Sequence, residues 1–120
     1  TSLYFGTTST TTTQAYQYKM YETPVTFHAI DSNTLGNIAG AWVYVEAGAG
    51  GEYTAGTEMG RGQTDANGLC TIVVKHDAAQ LINGVIRKSS ATPFYDQGVL
   101  QAVVAPGESQ TIVTAMTRQD

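Results

Sequence analysis

Val25-Thr26-Phe27-His28-Ala29-Ile30 alternates apolar and polar side chains, and so does Ala41-Trp42-Val43-Tyr44-Val45-Glu46 after a turn-rich gap. Ala47-Gly48-Ala49-Gly50-Gly51 then opens a glycine-rich loop, and Thr64-Asp65-Ala66-Asn67-Gly68 leads into Leu69-Cys70-Thr71-Ile72-Val73-Val74-Lys75. Period-two alternation places successive side chains on opposite faces of a strand, so Val25, Phe27 and Ala29 share one face and Thr26, His28 and Ile30 the other. Asp65 opens a turn, and Asn67-Gly68 supplies residues that accept positive φ, as a tight hairpin with a bulge requires. The order of parts is that of an all-β sandwich.

Outward from this stretch, the same reading continues. Pro24 suits the first residue of a strand, and Asp31-Ser32-Asn33-Thr34-Leu35-Gly36-Asn37 reads as a turn or short loop. A second strand is expected over Ala39–Ala47, with Ala41, Val43 and Val45 facing the core, and a surface or interface loop from Gly48 to about Gly60. Leu69–His76 reads as a strand, and 77–83 as the one place where a short helical turn could form. Further strands are expected over Gly84–Ser89, Val99–Ala105 and Gln110–Thr117, separated by Thr92-Pro93-Phe94-Tyr95-Asp96 and by Pro106-Gly107-Glu108-Ser109. About seven strands at short spacing indicate a sandwich.

The first residues differ from the rest. Leu3-Tyr4-Phe5-Gly6 is followed by the hydroxyl-rich tract 7–13 and by Ala15-Tyr16-Gln17-Tyr18-Lys19-Met20-Tyr21. All of it is β-prone, with Tyr16, Tyr18 and Met20 on one face. We read 1–21 as an extended arm or edge strand, with a solvated linker and an O-glycosylated stretch as alternatives, and 22–120 as the sandwich domain.

Composition bounds the function. The chain has 120 residues, 13% of them charged, about half the usual share, with a formal charge of −4. The basic residues are scattered apart from Arg87-Lys88, so no stripe tracks a phosphate backbone and direct nucleic-acid binding is not expected. No apolar run approaches the roughly 20 residues of a membrane-spanning helix, and no signal peptide is visible. Cys70 is the single cysteine, which excludes an intrachain disulfide; its alternation with Ile72 and Val74 makes it a packed, inert thiol.

Catalytic chemistry has no motif to stand on. His28 and His76 lie far apart on separate strands, and adjacent residues such as His76-Asp77 point to opposite faces. The glycine-rich loop lacks a following helix and the spacing of a phosphate cradle. The Asp-x-Asn-Gly string lacks the remaining ligands of a calcium loop. No cofactor, metal or catalytic residue is therefore expected, and the chain reads as non-enzymatic. Trp42, Tyr44 and Tyr53 could form an aromatic platform for a sugar, although a lone Trp on a sandwich is more often a packing residue.

The string Ile38-Ala39-Gly40-Ala41-Trp42-Val43-Tyr44-Val45, followed by Thr64-Asp65-Ala66-Asn67-Gly68 and a strand, resembles the Ig-like, carboxypeptidase-regulatory or transthyretin-like β-sandwich superfamily. The loop 47–51, the turn 64–68 and the segment 84–95 look like small Ig-like proteins encoded among tailed-phage virion genes. That resemblance implies a virion structural protein, in a capsid decoration, head fibre or tail, that binds copies of itself and other virion subunits. A secreted fibre or pilus-like subunit assembled by β-strand addition is the alternative, and a sugar-binding module with a host-surface glycan as partner is a third reading. The contact residues expected for assembly are Leu3, Tyr4, Phe5, Tyr16, Tyr18, Met20, Gly48, Gly50, Gly51 and Tyr53. If the arm joins a neighbour's sheet, a chain lacking residues 1–13 should stay monomeric in sedimentation under conditions where the full chain assembles; filaments of the truncated chain would exclude that role.

Overall fold

The computed structural model describes residues 20–119; Leu3, Tyr4, Phe5, Tyr16 and Tyr18 lie outside them. Among the described residues the chain forms β1 (Tyr21–Asp31), β2 (Trp42–Ala47), β3 (Glu58–Gln63), β4 (Leu69–His76), β5 (Gln80–Lys88), β6 (Tyr95–Val104) and β7 (Gln110–Met116). They build two sheets, one ordered β4-β1-β7 and the other β3-β2-β5-β6. All neighbours are antiparallel except β1 and β7, which pair in parallel from Val25↔Gln110 to Asp31↔Met116. The expected all-β sandwich is the fold.

Alternation fills the core. Val25, Phe27 and Ala29 of β1 face Val43, Val45 and Ala47 of β2, with Ile72 and Val74 of β4 and Ile82 and Ile86 of β5 closing around them, all buried. Ala41 is buried beside them, as expected, while Trp42, whose side the sequence left open, turns outward. Cys70 is a buried free thiol, and desolvation pushes its pKa up, with nearby Asp65 adding to the shift.

Three expectations are corrected. The loop after Ala47 is shorter than expected, because Glu58–Gln63 is a strand. Gly60 and Gly62 made that segment look like loop, yet they serve close packing: a Cβ at Gly60 would meet Ile72 Cγ2 at 2.6 Å, and one at Gly62 would meet Cys70 Sγ at 2.7 Å. The segment 77–83 holds no helical turn; the Glu52 carboxylate accepts hydrogen bonds from the N–H groups of Asp77 and Ala78, and Gln80 already pairs with Val104 in β5. The strands β2 and β6 also shift. Gly40, at φ 78°, delays β2 to Trp42, and β6 starts early at Tyr95, where a register shift opposite Lys88 bends it.

The Thr64-Asp65 turn ties the two sheets at one end. Thr64 Oγ1 donates to Ile38 O (2.7 Å) and accepts from Ala41 N (2.9 Å). Asp65 Oδ1 accepts from Asn67 N and Leu69 N, and Gly68 takes φ 76°. Gly68 alone adopts the left-handed conformation; Asn67 does not. At the same end Asp31 Oδ1 accepts from Asn33 N and Thr34 N, and Asp31 Oδ2 accepts from the Tyr95 hydroxyl at 2.8 Å. The hydrogen bond from Thr34, then those from Tyr95 and Asn33, hold the Asp31 carboxyl below its usual pKa. At the opposite end His76 is fully buried. Its Nδ1–H donates to Ala78 O, so Nε2 accepts from the Thr23 hydroxyl at 2.7 Å, and Thr23 Oγ1 in turn accepts from Gly107 N. His28 Nε2 bonds Asn37 Oδ1. Among the described residues neither histidine pairs with a carboxylate.

Two predictions follow from these clasps. Thr64→Val keeps the shape but strips partners from Ala41 N and Ile38 O, and should cost about 1–3 kcal/mol in urea unfolding. Asp31 has a depressed folded pKa, so its contribution is present above the unfolded-state value of about 4 and is lost as pH falls through the folded value. The stability gap between the wild-type chain and Asp31→Asn should therefore be full at pH 7 and shrink on acidification below about pH 4; a gap that stays constant would assign the effect to something other than the carboxylate.

Candidate functional site

Of the contact residues expected from the sequence, the described ones, Met20, Gly48, Gly50, Gly51 and Tyr53, lie at one end of the sandwich, around the connection from β4 into β5. Met20 is 76% exposed at the head of β1, where its N–H donates to Asp77 Oδ1. Gly50 stands clear of neighbours, whereas Gly48 and Gly51 lie against Leu81 and Gln80. Gly48 and Tyr53 are buried. The Tyr53 hydroxyl donates to Lys75 O at 2.6 Å, so Tyr53 anchors the loop 48–57 over the end of the core and is neither an exposed contact nor part of an aromatic platform.

What the fold does expose is a sheet edge. β6 and β7 are the last strands of their respective sheets among the described residues, and they run along the same side of the sandwich. Leu100, Ala102 and Ile112 line the seam between them, only partly buried. The seam is closed at one end by backbone bonds, Asp96 N to Thr117 O and Gln119 N to Phe94 O. Further along, a side chain spans it: Gln110 Nε2 donates to Val103 O. Thr114 Oγ1 is buried there without a hydrogen-bond partner.

Edge strands in monomeric proteins are commonly guarded by charged side chains, proline or distortion. β7 carries no charged residue, and β6 carries only Asp96, at the end already closed. Val99, Val103 and Val113 are instead exposed by 57–69%. Among the described residues the edge is apolar and unguarded. Its signal was present in the sequence as the charge-free runs 97–107 and 109–117, but only the topology shows that both runs lie at edges and on one side.

A second feature occupies the outer face of the β3-β2-β5-β6 sheet. Trp42 and Tyr44 stack with centroids 6.4 Å apart, and the guanidinium groups of Arg61 and Arg87 lie 5.3 and 5.9 Å from the Tyr44 ring centre. Arg61 also grips Glu58 through two hydrogen bonds. That pairing lowers the Glu58 pKa and raises that of Arg61. Two members of the expected aromatic platform are thus together, and Tyr53 is not with them. No group of three or more His, Cys, Asp or Glu side chains among the described residues is placed to hold a metal ion.

No family model and no curated sequence matches the chain. Solved structures do match in fold. One is an (S)-allantoin synthase, at TM-score 0.54 and 11% identity over 83% of this chain. Another is the shaft pilin SpaA from Lactobacillus rhamnosus GG, as an E269A/D295N double mutant, at TM-score 0.53 and 14% identity over 79% of this chain. The chain spans less than half the length of each, 44% and 46% respectively. At these identities the likeness is one of fold: the chain shares its β-sandwich with a pilin and with an enzyme.

Proposed function

We propose that this chain is a non-enzymatic structural module that assembles with copies of itself or with related subunits by pairing at the β6–β7 edge. The observation that carries this reading is the unguarded, valine-lined edge. An exposed strand presents unpaired N–H and C=O groups that template another strand. Low overall charge supports it, since few charges need partners when such a surface is covered. A fibre is the first setting, because a shaft pilin, by its name a fibre subunit, shares the fold. A tailed-phage virion is the second, and it rests on the resemblance carried by 47–51, 64–68 and 84–95. Either setting would put the chain on the outside of a cell or particle.

The absence of enzymatic function is part of this proposal. Both histidines are spent on structural hydrogen bonds, and a likeness of fold to an allantoin synthase transfers no activity.

Val99→Lys combined with Val103→Lys tests the edge directly. Both side chains are largely exposed, so circular dichroism and the melting temperature should hardly change, while sedimentation should show loss of assemblies. Assemblies that persist with the charged edge would overturn the proposal. Nuclease treatment of the sedimenting material from the native source separates the settings: nucleic-acid-free filaments mark a fibre, and particles with protected nucleic acid mark a virion.

A further inference from the structure

The outer face of the β3-β2-β5-β6 sheet holds a hollow of about 300 Å³ beside the Tyr44 ring, lined by Tyr44, Glu46, Glu58, Arg61, Asn83 and Val85, with Gly56 at its rim. Its volume is at the small end of the range for ligand sites, about 300–1,000 Å³. Register accounts for the lining: Arg61, Tyr44 and Val85 form one row across β3, β2 and β5, and Glu58, Glu46 and Asn83 the next.

The chemistry of the lining narrows the ligand. Two guanidinium groups already face Tyr44, so a further cation would meet like charge over the ring. An anion would meet Glu46 and Glu58 against Arg61, whose charge Glu58 already engages. What remains is a carboxylate, Glu46, that no hydrogen bond or ion pair among the described residues occupies, and the amide of Asn83. Asn83 Oδ1 accepts from Gln101, which leaves the two Nδ2 hydrogens to donate. A carboxylate that accepts, an amide that donates and the apolar surface of Val85 with the Tyr44 ring edge beside them suit a neutral ligand that has adjacent hydroxyls and an apolar C–H face.

We propose that this hollow binds a neutral pyranose, with Glu46 accepting from vicinal hydroxyls, Asn83 donating to a ring substituent, and Val85 with the edge of the Tyr44 ring, whose faces Trp42 and the two guanidinium groups take, against the sugar's C–H side. The site is separate from the β6–β7 edge and does not depend on assembly there.

The test is a two-dimensional NMR titration of the ¹⁵N-labelled chain with methyl α-glucopyranoside, methyl β-galactopyranoside and, as the anionic counterpart, methyl glucopyranosiduronate. The expected result is a saturable shift of the Tyr44, Glu46, Asn83 and Val85 amides with at least one neutral glycoside. Binding should be about tenfold weaker in Glu46→Ala, as expected for losing hydrogen bonds to a charged acceptor. Glu46 is an exposed outward residue, so the variant's remaining spectrum should overlay that of the parent; if it does not, Asn83→Ala supplies the same comparison. No saturable shift with either neutral glycoside, shifts unaltered in Glu46→Ala and Asn83→Ala, or tighter binding of the uronate would each overturn the proposal.

Discussion

The crossing between the two sheets depends on the side chain of Thr64. The chain leaves one sheet at Gln63 and enters the other at Leu69, and at that crossing the Thr64 hydroxyl satisfies both Ile38 O and Ala41 N. Backbone bonds between Gly40 and Thr64 and between Thr64 and Ala41 complete the clasp. The approach to β2 and the exit from β3 are thereby fixed against each other before the next strand begins. Buried polar groups are stabilising only when satisfied, and one hydroxyl here satisfies two. Asp31 and Tyr95 repeat the device nearby, joining the end of β1 to the start of β6 in the opposite sheet.

The two long sides of the sandwich are built differently. Where β3 meets β4, Gly60 and Gly62 remove the side chains that would keep the sheets apart, and Ile72 and Cys70 fill the space. Where β6 meets β7, Gly98 makes a similar approach to Thr114 and Met116, but beyond it Leu100, Ala102 and Ile112 remain half-covered. Among the described residues, that stretch is the more open part of the two flanks.

Much of the fold was legible because one face of each central strand is buried. Alternation in Val25–Ile30 and Ala41–Glu46 named the inward residues correctly, and the Asp65 turn was visible as a pattern of residue types. The strand Glu58–Gln63 was not legible, since its glycines answer to neighbours distant in sequence. Likewise, Gln80-Leu81-Ile82-Asn83 suits a helix locally, and only pairing with β6 decides for a strand. Of the candidate surfaces, Trp42 and Tyr44 could be grouped by their spacing. Tyr53 could not be separated from them, because its burial depends on how the loop 48–57 folds back. The hollow beside Tyr44 needed three strands in register before Glu46, Arg61 and Asn83 could be seen as one group.

The parallel pairing of β1 and β7 has a mechanical meaning. β1 enters the domain at one pole and β7 leaves it at the other, and the two are bonded side by side from Val25↔Gln110 to Asp31↔Met116. Tension applied between the start of β1 and the end of β7 runs along both strands in opposite directions, so it loads that ladder in shear. The hydrogen bonds then share the force and must fail together, where a hairpin pulled from its open end would unzip them one by one. A module strung between neighbours through those two strands would carry load along its length without first opening its core.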